Sequence, residues 1–329
     1  MPFTRRTFFK AAASAAVCLD TVAADKTRSQ DGLPRRVLGK TNQPVTILGL
    51  GGAWLAHDGT AHDHTATEAH THEIIQAALE GGIRYFDTAP NYFLSEERLG
   101  PALAPVRDKV FLVTKLDHPD AKTAEQDLAN SLKLLKTDHV DLLLLHGLGL
   151  ENFDDFTALQ GKAGALSFLH RAKEKGLTRF IGFSSHPVKM SAQRAFALVA
   201  EVDVIQPFVN YVSRAENNAE GIMVEFARQH NIGITAMKVL GGDGQLADDY
   251  DRALRYVLSV PGVHCALVGA GSVEQVKRAV KAAQEFRTLT DSEMKETIAL
   301  GRQLFESKSK KAALLRRHVR QDVADWRRV

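Results

Sequence analysis

The sequence predicts an α/β chain closed into a (β/α)8 TIM barrel, with an N-terminal β-hairpin closing the bottom. Three observations carry that expectation. Eight short β-branched and aliphatic runs alternate with longer stretches of helical periodicity. The runs are apolar almost throughout, as parallel strands covered on both faces require. No linker or compositional break divides the chain after residue 33, and eight βα units in one chain favour closure over an open doubly wound sheet.

The elements follow in order. Arg35-Arg36-Val37-Leu38, a polar turn from Gly39 to Pro44 and then Val45 read as a hairpin able to plug the N-terminal end of the barrel. Val45 to Leu50 is the first barrel strand by composition. Ile74, Ile75, Ala78 and Leu79 recur on one helix face, and Gly81-Gly82 ends that helix. Arg84 to Asp87 is the second strand, Val110 to Thr114 the third and Val140 to Leu145 the fourth. Thr178 to Phe183, Val202 to Gln206, Ile232 to Ala236 and Cys265 to Val268 complete the series.

Composition narrows the class. The 329 residues are 44% hydrophobic and 25% charged with 10 prolines, which excludes a disordered, collagenous or coiled-coil chain. A net charge of +3 gives no ground for a nucleic-acid partner. Basic residues gather from Lys308 to Arg328, but Asp322 and Asp325 interrupt them, so they read as a solvated helical face. Of the two cysteines, Cys265 lies in an apolar run and reads as a small buried hydrophobe. The other, Cys18, precedes the folded region, which leaves no disulfide after residue 33.

The first residues look like an address. Arg5 and Arg6 stand ahead of a weak apolar stretch, Ala11 to Leu19, followed by Val22-Ala23-Ala24. This resembles a twin-arginine signal peptide, read by a translocase that carries folded proteins. The apolar stretch is about nine residues, against the roughly 20 that span a bilayer, so no membrane anchor is expected after cleavage. Residues 1–30 are then signal and linker, and 33–329 the barrel domain. The expected location is periplasmic or exported, and cytoplasmic if the signal does not function.

Chemistry is expected where strands end, because a barrel of this kind builds its site at the C-terminal rim. Asp87 closes the second strand, Tyr92 lies in the loop after it, Lys115 closes the third and His146 the fourth. Singly, each has a structural explanation as a helix cap, a solvated side chain or a core residue. Together, at the ends of successive strands, they converge on one mouth. Trp54, after the first strand, is expected to face the same mouth as a substrate contact.

Asp87-Thr-Ala-Pro-Asn-Tyr92-Phe-Leu-Ser95-Glu96-Glu-Arg-Leu99-Gly100 resembles the motif of the aldo/keto reductase family that runs from its catalytic Asp through its catalytic Tyr. The likeness extends through Leu48-Gly-Leu-Gly-Gly52, Gly182 to Ser185, Gln206 to Asn210, Ala236 to Gly242 and Gly269 to Ser272, covering about 34 to 290. It implies an NAD(P)H-dependent oxidoreductase interconverting a small-molecule carbonyl and an alcohol. Tyr92 would be the general acid, its phenol lowered by the Lys115 ammonium, with Asp87 holding Lys115 and His146 orienting the carbonyl.

The resemblance also implies a cofactor site. Ser184, Ser185 and Gln206 match positions that hold the carboxamide of NADP(H), and Met237 falls where relatives stack a Tyr on the ring. Gly241, Gly269, Gly271 and Ser272 match backbone that approaches the cofactor phosphates. Gln275 stands where an Arg usually forks the 2′-phosphate, so NAD(H) stays open beside NADP(H).

Several residues depart from the family pattern. Ser185 replaces an Asn, Phe93 replaces the Gly after the catalytic Tyr, and Gly147-Leu148 replaces a Pro-Asp pair, so substrate is not inherited. The loop after the first strand is enlarged and carries His57, His62 and His64, with His70 and His72 beyond it. Their spacing fits no closed metal site, so a solvated loop and no metal are expected. The alternatives to a reductase are a catalytically silent cofactor-binding sensor or partner subunit, and a metal-binding periplasmic protein using that histidine loop.

Overall fold

In a computed structural model the chain is described over residues 32–55, 66–242 and 244–326. The signal-like segment and the enlarged loop with His57, His62 and His64 lie outside those residues. A two-stranded antiparallel sheet comes first, β1 (Arg35–Val37) with β2 (Pro44–Thr46). Eight parallel strands then close into a barrel: β3 (Leu48–Gly51), β4 (Tyr85–Asp87), β5 (Phe111–Leu116), β6 (Val140–Leu148), β7 (Thr178–Ser185), β8 (Val204–Pro207), β9 (Gly233–Ala236) and β10 (Cys265–Gly269). Closure is made by β10, which pairs with β3 on one side and β9 on the other.

All eight expected strands form, with one boundary corrected. Val45 to Leu50 is two strands rather than one. Val45 and Thr46 pair with the hairpin, whereas Leu48 to Gly51 joins the barrel. The hydroxyl of Thr46 donates to the Leu48 carbonyl at 2.8 Å across the break. Both halves are buried, so their composition carries no trace of the bend.

The hairpin seals the N-terminal end. Leu38, fully buried, packs with Tyr85, Phe111, Val204 and Cys265 in the lower barrel interior. Phe111 stacks on Tyr85 at 5.0 Å and lies 6.2 Å from Phe180, filling that layer with rings. The guanidinium of Arg36 donates to the carbonyls of Val263 at 2.6 Å and Leu258 at 2.9 Å, fastening the plug to the segment that enters β10. Burying a leucine of this kind stabilises by about 1.5–3 kcal/mol.

The helices form the outer ring. Ile74, Ile75 and Ala78 are the buried face of helix Glu68–Glu80, as their spacing predicted. Cys265 is a buried free thiol, and of the C-terminal basic residues Lys308 to Arg320 belong to helix Asp291–Trp326, while Arg327 and Arg328 lie outside the described residues. No described helix is long and apolar enough to cross a membrane.

Candidate active site

Four of the sequence-predicted residues meet at one rim. Asp87 is the last residue of β4, and Lys115 lies near the end of the adjacent β5, both buried. The Lys115 ammonium donates to Asp87 Oδ1 at 2.8 Å and to the Thr88 carbonyl at 2.7 Å. It stands 4.7 Å from the centre of the Tyr92 ring. Tyr92 Oη lies 3.5 Å from His146 Nε2. Their rings meet edge-on at 5.4 Å.

Local backbone explains how two of them are aimed. Strand β6 runs past His146, with a register shift against β7 between Leu145 and Leu148. Such an irregularity redirects a side chain, and Gly147 takes the positive φ of 77° that the kink needs. The Gly147-Leu148 departure from the family pattern therefore has a structural use. Phe93, next to Tyr92, also sits at positive φ, 49°. That conformation favours glycine, which is why the Gly-to-Phe departure there leaves a strained, exposed residue beside Tyr92.

Electrostatics correct one expectation. Burial pushes the Tyr92 phenol above its ordinary range, and this outweighs the Lys115 ammonium, which pulls it down. Burial works against the charge on Lys115, but Asp87 and Tyr92 more than restore it, so its proton is held more tightly than usual. The sequence shows the neighbouring ammonium but not the depth of the phenol.

Asp117 was missed. Its Oδ1 accepts from His146 Nδ1 at 2.6 Å, and the two side chains are 15% and 17% exposed. A carboxylate can only accept, so Nδ1 carries the proton and Nε2 faces Tyr92. Asp117 is held in turn, its N–H donating to Asp127 Oδ2 at 3.2 Å and its carbonyl accepting from Asn152 at 3.0 Å.

Beside this group opens a cavity of about 250 Å³, whose walls include Trp54, Asp87, Tyr92, Gln206, Met237 and Lys238. Gly241, Gly269, Gly271 and Gln275 also line it. Gln206 is buried and its Oε1 has no hydrogen-bond partner, an acceptor left open at the cavity wall. A Cβ on Gly269 would sit 2.4 Å from the Trp54 ring, so the indole lies flush against that backbone. Gly241 has φ 84°, and a Cβ there would meet Gln245 at 2.8 Å.

The remaining cofactor candidates are less open. Ser184 Oγ accepts from the Gly147 N–H at 2.8 Å. Ser185 donates to Gln193 at 2.5 Å and so is engaged by the helix behind it. Ser272 caps helix Val273–Gln284, accepting from the Gln275 N–H at 3.3 Å. Gln275 Oε1 accepts from the Gly271 N–H at 2.8 Å. His70 Nε2 donates to the Gly271 carbonyl at 2.9 Å, so this histidine braces the loop. No cluster of three metal-ligating side chains occurs among the described residues.

The Aldo/keto reductase family model matches residues 48–253, and the chain belongs to that family of oxidoreductases. It is 23% identical over 313 residues to the uncharacterized oxidoreductase YqkF of Bacillus subtilis, covering 79% of this chain and 94% of that protein. It is 31% identical over 218 residues to the NADPH-dependent codeinone reductase 1-2 of Papaver somniferum, covering 61% of this chain and 64% of that one. The match to the bifunctional protein STORR of the same plant spans only 26% of that protein's length. Among solved structures, the holo form of an aldo-keto reductase from Bacillus halodurans superimposes with a TM-score of 0.68 at 22% identity, over 82% of this chain and 96% of that one. A Klebsiella pneumoniae aldo/keto reductase in complex with NADP and acetate gives 0.67 at 22% identity, over 82% and 95%. These two likenesses establish the fold.

Proposed function

We propose that the protein reduces a small aldehyde or ketone with NADPH, or oxidises the matching alcohol, with Tyr92 as the general acid. The observation that carries this reading is the meeting of Tyr92 Oη and His146 Nε2 at 3.5 Å above the Lys115–Asp87 pair, on the wall of a cavity that also holds an unpartnered acceptor, Gln206 Oε1. The name of the codeinone reductase relative and the NADP in the Klebsiella structure support NADP(H).

The residues fit that group. Gln206 Oε1 offers an acceptor for a carboxamide N–H, and the amino end of helix Val273–Gln284 favours phosphate. Bound nicotinamide supplies the hydride. The protein's own task is the proton. A carbonyl oxygen seated between Tyr92 and His146 receives it from Tyr92 Oη as alkoxide character develops. The Tyr92 phenol holds a proton to give in the reductive direction, and the Lys115 ammonium offsets part of the rise that burial imposes on it. Lys115 steadies the phenolate left behind, and Asp87 fixes Lys115.

Calorimetric titration with NADPH and NADH, followed by a carbonyl screen, tests the assignment. We expect NADPH binding and turnover, with Tyr92→Phe losing about 10²–10⁴ in kcat while retaining cofactor affinity. Equal turnover by the variant would remove Tyr92 from its role. Cofactor binding without turnover on any carbonyl would favour the silent sensor.

Export through the twin-arginine route is a second part of the proposal, supported by Arg5-Arg6 ahead of a short apolar stretch. Changing both arginines to lysine should keep the protein in the cytoplasm. Unchanged fractionation would refute it.

A further inference from the structure

Two histidines of the histidine-rich stretch fall among the described residues: His72 is exposed, whereas His70 is half-buried. His70 sits in the first turn of helix Glu68–Glu80, where its N–H donates to the cap, Thr67 Oγ1, at 3.2 Å. The next residue, Thr71, is buried and donates to the Leu55 carbonyl at 2.8 Å, which ties that turn to the segment carrying Trp54. Helix Glu68–Glu80 packs against helix Val273–Gln284. At its far end the two are so close that a Cβ on Gly81 would meet Val280 at 2.6 Å. At its near end His70 meets the turn that leads from β10 into the second helix.

That turn is pinned at one residue. His70 Nε2 donates to the Gly271 carbonyl at 2.9 Å, and the Gly271 N–H donates to Gln275 Oε1 at 2.8 Å. A carbonyl only accepts, so Nε2 carries the proton. Gly271 is thus held from both sides, its N–H by the helix it enters and its carbonyl by the helix alongside. Gly271 and Gln275 line the cavity, and the first N–H groups of a helix have no partner within it. Glycine loses more backbone freedom on ordering than any other residue. Fixing the turn in advance removes that entropy from the cost of binding.

We infer that His70 is a positioning residue for the cofactor: by holding the Gly271 carbonyl it keeps the turn after β10 in the shape that receives a phosphate group at the amino end of helix Val273–Gln284. This rests on the proposed reductase reading. His70 does not line the cavity, so its effect falls on cofactor affinity and not on the proton step at Tyr92. One hydrogen bond of this kind corresponds to about threefold to tenfold in affinity.

The test is calorimetric titration of wild type, His70→Ala, His70→Asn and His70→Gln with NADPH and with 2′-phospho-ADP-ribose, which lacks the nicotinamide ring. We expect His70→Ala to bind both about threefold to tenfold more weakly. His70→Gln, whose amide N–H can reach where Nε2 lies, should recover the affinity, and the shorter His70→Asn should not. ADP-ribose separates the phosphates. A loss seen there too assigns the turn to the diphosphate, and a loss confined to 2′-phospho-ADP-ribose assigns it to the 2′-phosphate. In turnover, the KM for NADPH should rise with no matching fall in kcat. Equal affinity of wild type and His70→Ala, or a His70→Gln protein as weak as His70→Ala, overturns the inference and leaves the reductase reading standing. So does a His70→Ala protein whose thermal midpoint and kcat fall together with its affinity, since that marks a purely structural role. A wild type that binds neither ligand removes the cofactor reading and this inference with it.

Discussion

The two ends of one barrel are built to opposite rules. At the N-terminal end Leu38 fills the interior and Arg36 spends its guanidinium on two carbonyls. At the C-terminal end Gln206 Oε1 and Asp87 Oδ2 are buried without a partner, Phe93 and Lys238 sit at positive φ, and Trp54 and Phe93 are exposed. Buried polar atoms without a partner occur in the lower layer too, at Tyr85 Oη and Thr235 Oγ1, and Asn42 of the hairpin has φ 55°; what sets the top rim apart is that Gln206 and Asp87 line an open cavity. The bottom rim is organised for holding together and the top rim for meeting a ligand.

That contrast is breakable. Leu38→Ala should cost about 2–5 kcal/mol in urea unfolding, because the ring-lined layer above it cannot collapse into the gap. Its kcat should not change. A loss of activity without loss of stability would erase the division between the ends.

The bottom also carries a pH dependence. His264, beside the hairpin, is pushed down to about 4, by burial and then by the charge of Arg36. Unfolded, a histidine titrates near 6.5, so between those values the unfolded chain binds the extra proton. Stability is therefore full above about pH 6.5 and is lost as pH falls towards 4, by roughly 3 kcal/mol in all. Unfolding free energies from pH 7.5 down to 4.5 should show that slope, and His264→Asn should flatten it. An unflattened slope would place the titration elsewhere.

At the top, Asp117→Ala should lower kcat by about tenfold to a hundredfold, since His146 loses the bond that aims Nε2. Thermal stability should move little, because both side chains are near the surface of the mouth. The smallest effect is expected from Phe93→Gly, which should raise stability by about 1 kcal/mol by relieving a positive φ. A destabilised glycine variant would mean that the Phe93 ring contributes more than its backbone costs.

What could be read in advance followed the same division. Strands, the hairpin plug and the buried helix face are written in local periodicity, and so is the arrival of Asp87, Lys115 and His146 at successive strand ends. Asp117 was illegible because its partner is 29 residues away and a lone acid two positions after Lys115 has many uses. Ser185 looked free for a ligand, yet Gln193 from the following helix engages it. The Tyr92 shift was misjudged because burial is a property of the whole barrel, whereas a neighbouring ammonium is local. The split of Val45 to Leu50 depended on which partner strand each half finds.

The contact between Trp54 and Gly269 gives the molecule a built-in optical reporter. The chain has two tryptophans; Trp54 forms part of the cavity wall, and Trp326 ends the long C-terminal helix. Anything that enters between that indole and the opposite wall changes the polarity around it. Intrinsic emission is thus a direct gauge of occupancy, and Trp326→Phe would isolate the signal to one indole.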